Sequence, residues 1–135
     1  MGRLYRCLKN LFKPPTQLEK RAQVGLQAEK LAARFLKQRG LRVVTTRFRC
    51  KQGEIDLIMW DKETLVFIEV RFRAQISYAT PAETVNAVKQ QKILKTARYY
   101  LWVNALHAQA ACRFDVLAIT GPLAKPHIQW IQAAF

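Results

Sequence analysis

Acidic residues are scarce in this chain. Nine Asp and Glu stand against 23 Lys and Arg among 135 residues, which leaves a net charge of +14. A small domain so lopsided repels itself and attracts polyanions; nucleic acid is the commonest such partner, with anionic membrane and ribosomal RNA as competitors. Cysteine is scarce too. Cys7, Cys50 and Cys112 form an odd, scattered set without C-x-x-C spacing, which argues against a zinc ribbon or a disulfide framework and suits a reducing compartment. His107 and His127 lie far apart with no ligand pattern near either and read as surface or turn residues. No apolar run approaches the roughly 20 residues needed to span a bilayer, and the N-terminus lacks the continuous apolar stretch of a secretory signal. It begins Met-Gly, but Arg6 stands where a myristoylation motif wants Ser or Thr. The expected location is the cytoplasm.

What is present reads as one domain. Half of the residues are apolar, a globular composition with room for a single core. Residues 1–15 form a basic arm ending in Pro14-Pro15, and residues 16–135 form the domain. Thr16-Gln17-Leu18-Glu19 is a capping box that starts a helix at about Gln17. Ala28, Leu31, Ala32, Phe35 and Leu36 supply its apolar stripe, and Gly40 stops it. Glu29 shares a face with Gly25, Ala32, Ala33 and Leu36, so it borders the buried side. Leu41 to Arg49 is a first strand, and Cys50 to Gly53 turns it into a second. A second helix runs from about Pro81 to Asn104, with Ile93, Ala97, Tyr100 and Leu101 as its stripe. Lys89 lies one turn before Ile93 on that face, so its stem runs over the sheet, whereas Lys92, Lys95 and Arg98 fan outward. Arg113 to Thr120 is a fourth strand and His127 to Ile131 a short fifth. The order helix, three-strand meander, helix, strand predicts an α/β domain with a mixed sheet flanked by helices.

The stretch from Gly53 to Arg71 is the most informative. It reads as a hairpin in which each apolar strand carries one carboxylate. Ile55, Leu57 and Met59 alternate with Asp56, Ile58 and Trp60; Leu65, Phe67, Glu69 and Arg71 share a face of the next strand. A turn centred between Lys62 and Glu63 places Asp56 opposite Glu69, with β-carbons about 5 Å apart. Carboxylates so close on buried strands repel each other and resist desolvation, and a divalent cation removes both penalties. The alternative is that Asp56 and Glu69 sit solvated at strand ends or paired with nearby arginines. Spacing alone leaves both readings open.

Motifs over most of the domain carry a resemblance. They are Gly25-x-x-x-Glu29-x-x-Ala32, Gly53-Glu54-Ile55-Asp56-Leu57-Ile58, Phe67-Ile68-Glu69-Val70, Lys89-Gln90 and Arg113-Phe114-Asp115-Val116. In this order they resemble the YraN-like family of predicted endonucleases, which has a restriction-endonuclease-like core and is distantly similar to archaeal Holliday-junction resolvases. The resemblance implies a site of the form Asp, spacer, Glu-x-Lys, matched by Asp56 and Glu69-Val70-Arg71. It makes Asp56 and Glu69 ligands of Mg²⁺ or Mn²⁺, with Glu29 as a third carboxylate. Arg71 departs from the pattern: a lysine there can lose a proton and help activate water, and an arginine cannot. Arg71 can still clamp a phosphate; either the metal alone makes the hydroxide, or Lys89 supplies the missing amine from the helix, or the site has lost its activity. Arg47 stands where that family often has Asn.

The resulting expectation is a metal-dependent phosphodiesterase acting on DNA in preference to RNA, branched or structured DNA included; the likeness to resolvases, which act as symmetric dimers on a two-fold junction, implies a homodimer. Arg42, Arg47, Arg49, Lys51, Lys92, Lys95 and Arg98 are the expected phosphate-binding residues. A non-catalytic nucleic-acid-binding module, RNA- or ribosome-associated, is the alternative. The carboxylates separate the two, because a pure binder needs cations alone.

Overall fold

The computed structural model describes residues 13–75 and 85–135; most of the basic arm and the predicted helix start at Pro81 lie outside them. Helix α1 spans Gln17–Lys37. Its capping box is complete: the Thr16 N–H donates to Glu19 at 2.6 Å, and the Glu19 N–H to the Thr16 hydroxyl at 3.2 Å. Strands β1 (Arg42–Cys50), β2 (Gly53–Asp61) and β3 (Thr64–Arg73) form the meander. Helix α2 (Ala87–Val103) follows, then β4 (Ala111–Thr120) and β5 (His127–Ile131). The expected α-β-β-β-α-β order is present, with β5 added at the edge.

The sheet order is β1-β2-β3-β4-β5. All neighbours are antiparallel except β3 and β4, which run parallel with α2 as the crossover. Each helix covers one face. Ala28, Ala32 and Leu36 of α1 pack on Leu57, Met59, Val66 and Ile68, and Ile93, Ala97 and Tyr100 of α2 pack on Ile58, Leu65 and Phe67. Leu36 is fully buried, so truncating it to Ala would cost about 2–5 kcal/mol. Gly53 begins β2 at φ 152, and a Cβ there would lie 3.1 Å from the Thr96 hydroxyl of α2. That close approach seats the helix on the β1–β2 turn.

The β2–β3 turn is the two residues Lys62 and Glu63, and the ladder runs from Asp61–Thr64 to Leu57–Ile68. Asp56 and Glu69 come next in that register. Strict alternation on β2 does not hold, however. Ile55 packs with Ile58 on the α2 face, while Leu57 and Met59 face α1. The alternation breaks, in unchanged register, where Arg47 stands across from Asp56: the pairs on either side are Thr46–Leu57 and Phe48–Ile55, the register itself shifts earlier, between Val43 and Thr45, and Arg47 takes a left-handed φ of 53. Such a residue interrupts the two-residue alternation and twists the strand locally. It leaves Glu54 and Asp56 at the end of the sheet, within reach of α1.

Candidate metal centre

Asp56 occupies the notch where β2 and β3 part. Its Oδ2 accepts the backbone N–H of Val70 at 2.8 Å. Ligand oxygens of Glu29, Glu54 and Asp56 all lie within 4.8 Å of one another. Glu69 neighbours Asp56 as well, the two carboxylates lining one hollow with Glu54. Burial, then the charge of Glu69, push the Asp56 carboxyl up to about 7, against the pull of the Val70 N–H. The Glu29 carboxyl is also raised, chiefly by burial and further by Glu54, with Arg47 opposing.

Three of these carboxylates have a cation. Arg47 Nε lies 2.9 Å from Glu29, Arg49 Nε lies 2.8 Å from Glu54, and the Lys89 ammonium pairs with Glu69. Arg71 stands farther from Glu69, at 3.9 Å. The Arg47 Nε is buried and its approach to Glu29 lacks hydrogen-bond geometry, so that pair is Coulombic in character. All the cluster's donors are carboxylate oxygens, the hard set that suits Mg²⁺ or Mn²⁺.

Asp56 lines depressions on both faces. On the α1 side a groove of about 530 Å³ runs from Lys20 and Arg21 past Gly25 to Glu29 and Asp56. A second groove, about 490 Å³, passes the other side of Glu29 along Lys30, Arg34, Lys37 and Arg47. On the α2 side a hollow is lined by Glu54, Asp56, Glu69, Lys89 and Lys92.

Glu29, Asp56, Glu69, Arg71 and Lys89 are thus brought to one place. Among the expected phosphate-binding residues, Arg47 and Arg49 are paired with cluster carboxylates, and Lys51, Lys92, Lys95 and Arg98 are exposed. Arg42 is not brought near: it pairs with Trp60 at the far end of the hairpin. Sequence reasoning missed Glu54 as a site residue, although it stands two positions before Asp56; the break in alternation at Asp56 is what leaves both beside Glu29. It also missed the cations of α1, because Lys20, Arg21, Lys30, Arg34 and Lys37 read as an ordinary solvated face. Asp115, from the fifth motif, sits elsewhere. It is 1% exposed and accepts from Arg113 at both oxygens, from Trp130 Nε1 at 3.0 Å and from the Ala133 N–H at 3.0 Å. That makes it a bracket tying β4 to β5 and the C-terminal residues.

Comparison with known proteins agrees with the motifs. The profile of the uncharacterised protein family UPF0102 matches residues 28–119. A UPF0102 protein of Aeromonas hydrophila is 46% identical over 136 residues, covering 100% of this chain and 97% of its own. One from Chromohalobacter salexigens is 48% identical over 113 residues, 82% of this chain and 89% of its own. Another, from Coxiella burnetii, is 46% identical over 112 residues, 83% of this chain and 91% of its own. The chain belongs to the UPF0102 family, the YraN-like group.

Proposed function

We propose that this protein is a divalent-metal-dependent nuclease hydrolysing phosphodiester bonds in DNA, branched or otherwise structured DNA in particular. The convergence of Glu29, Glu54, Asp56 and Glu69 carries the reading. Four of the nine carboxylates of a chain with net charge +14 meet at one half-buried point. Collecting like charges helps to raise the Asp56 and Glu29 carboxyls, alongside burial, and costs stability. A structural carboxylate is served as Asp115 is, by donors at both oxygens. Among the described residues, Asp56 has one backbone donor and carboxylates around it.

Glu29, Glu54 and Asp56 would hold the ion, with Glu69 beside Asp56. Such an ion polarises a phosphate oxygen and acidifies a bound water. The chain's own residues do the rest. Arg71, a planar fork on β3, clamps a phosphate oxygen pair and balances charge developing on the phosphorus centre. Lys89 holds Glu69 in place and brings an amine to the site. Lys20 and Arg21 at one end of the α1 groove attract the strand toward the carboxylates. Action on a four-way junction calls in addition for two such sites related by symmetry, and a homodimer is the assembly proposed for that substrate.

One observation favours a non-catalytic binding module instead. Glu29, Glu54 and Glu69 each have a resident cation, as in a site that neutralises its charge without metal. Cleavage of labelled linear, flapped and four-way DNAs with Mg²⁺ and with Mn²⁺ separates the readings. The nuclease cuts at least one of them in a metal-dependent way; the module binds and cuts none.

A further inference from the structure

Helix α2 leads away from the carboxylate cluster as a stripe of cations that ends in exposed aromatic rings. Lys89 and Lys92 border the cluster, Lys95 and Arg98 follow, and the helix contains no Asp or Glu. Near its C-terminal end Trp102 is 77% exposed. Its ring centroid lies 5.9 Å from that of Tyr99, itself partly exposed, and Tyr99 rests 6.2 Å from Phe48 of β1. Tyr99 is therefore braced from below while Trp102 presents its ring to solvent. Single exposed apolar residues are ordinary on protein surfaces. A braced aromatic pair at the end of a helix whose charges are all cationic is a more specific arrangement.

From this we infer that the outer face of α2 binds unpaired nucleotides, with Lys92, Lys95 and Arg98 on the phosphates and Trp102 and Tyr99 stacking on bases. The inference rests on the nucleic-acid reading above and deepens it, since a substrate engaging this face has single-stranded character beside the cleavage site. Every base has a π-face, so stacking of this kind tolerates any sequence, and cations tracking the backbone complete the arrangement. Lys92 and Trp102 are ten positions apart on one helix, a rise of about 15 Å, or about four nucleotides at B-form spacing. A second copy of the chain is the other occupant of an exposed aromatic patch, and Leu106 beside it is exposed as well. Charge argues against it: a two-fold interface here sets the cations of one α2 against those of the other.

The test uses full-length protein in EDTA at low salt, which keeps it independent of metal and cleavage. Binding of a labelled twelve-nucleotide oligo-dT and of a blunt duplex of equal length is followed by fluorescence anisotropy. Trp102→Ala is expected to weaken oligo-dT binding about tenfold, within what one base–aromatic stack contributes, and to leave duplex binding within about twofold; Trp102→Phe retains most oligo-dT affinity. Equal losses on both ligands, or none on oligo-dT, would overturn the inference. So would sedimentation showing that Trp102→Ala converts a dimer to monomer, which assigns the face to a second copy. Absent cleavage by the wild type would sink the nuclease reading and leave this result standing.

Discussion

The Asp56 carboxylate accepts the Val70 N–H at 2.8 Å across the point where β2 and β3 separate. That bond holds a charged group in a notch the sheet would otherwise close, and it favours ionisation. Burial and the Glu69 charge outweigh it, bringing the carboxyl to about 7.

The first prediction concerns pH. The folded-state pKa of Asp56 lies above its unfolded value of 3.8, so the folded protein binds more protons than the unfolded chain between these limits. Stability linked to the neutral carboxyl is fully present below about pH 4 and is lost as pH rises through about 7. The upper bound on the loss is on the order of 4 kcal/mol, from about 1.4 kcal/mol per pH unit. Melting in EDTA should show Tm falling between pH 5 and 8 for wild type and a flatter profile for Asp56→Asn. Parallel profiles would remove the pKa argument.

The second prediction follows from cation binding. At pH 8, Mn²⁺ should raise the wild-type Tm in a concentration-dependent way, equivalent to about 2.7 kcal/mol at a hundredfold excess over Kd. Asp56→Asn should lose most of this response, and Glu54→Gln should lose part. A wild-type Tm indifferent to Mn²⁺ would count against the metal centre.

Much of this geometry is legible in the sequence. Lys62 and Glu63 form the two-residue turn, and the pairing that brings Asp56 level with Glu69 follows from it. The face of Glu29 on α1 follows from the apolar stripe beside it. The break at Arg47 does not: alternation is a local rule, and nothing local announces that the ladder skips Arg47 and Asp56. That break sends Ile55 to the α2 face and leaves Glu54 and Asp56 beside Glu29. The α1 cations escaped because charge on an amphipathic helix is indistinguishable from a solvated face until the grooves beside it are known.

Arg47 supplies the third prediction. It holds a left-handed φ of 53, which costs a side-chain-bearing residue roughly 1–2 kcal/mol and which Asn tolerates better. Arg47→Asn relieves that cost and removes the ion pair to Glu29, whose side chains are 38% and 15% exposed and which contributes about 0–1 kcal/mol. Denaturant midpoints should place the variant within about 1 kcal/mol of wild type or above it, while Mn²⁺ affinity rises because Glu29 loses its competing cation. Destabilisation by several kcal/mol would show that Arg47 acts in the fold.

Asp115 gives the fourth. Its removal leaves the Arg113 guanidinium, the Trp130 ring N–H and the Ala133 N–H short of acceptors in a buried place. Asp115→Ala should cost about 3–5 kcal/mol in denaturant unfolding and leave Mn²⁺ affinity of the folded protein unchanged. Intact stability with lost Mn²⁺ binding would make Asp115 a site residue after all.

The most direct test of the central claim is cleavage of a labelled four-way DNA junction and its linear and flapped counterparts by three proteins: wild type, Asp56→Asn and Arg71→Lys, each with Mg²⁺, Mn²⁺ or EDTA. Wild type should cleave at least one substrate in a metal-dependent way. Arg71→Lys should show equal or greater activity, since it restores an ionisable amine beside Glu69. Asp56→Asn should lose cleavage, with DNA affinity in EDTA unchanged or higher because one repelling carboxylate has gone. Wild type and Arg71→Lys that both bind these DNAs and cut none of them, with either metal, would contradict that claim.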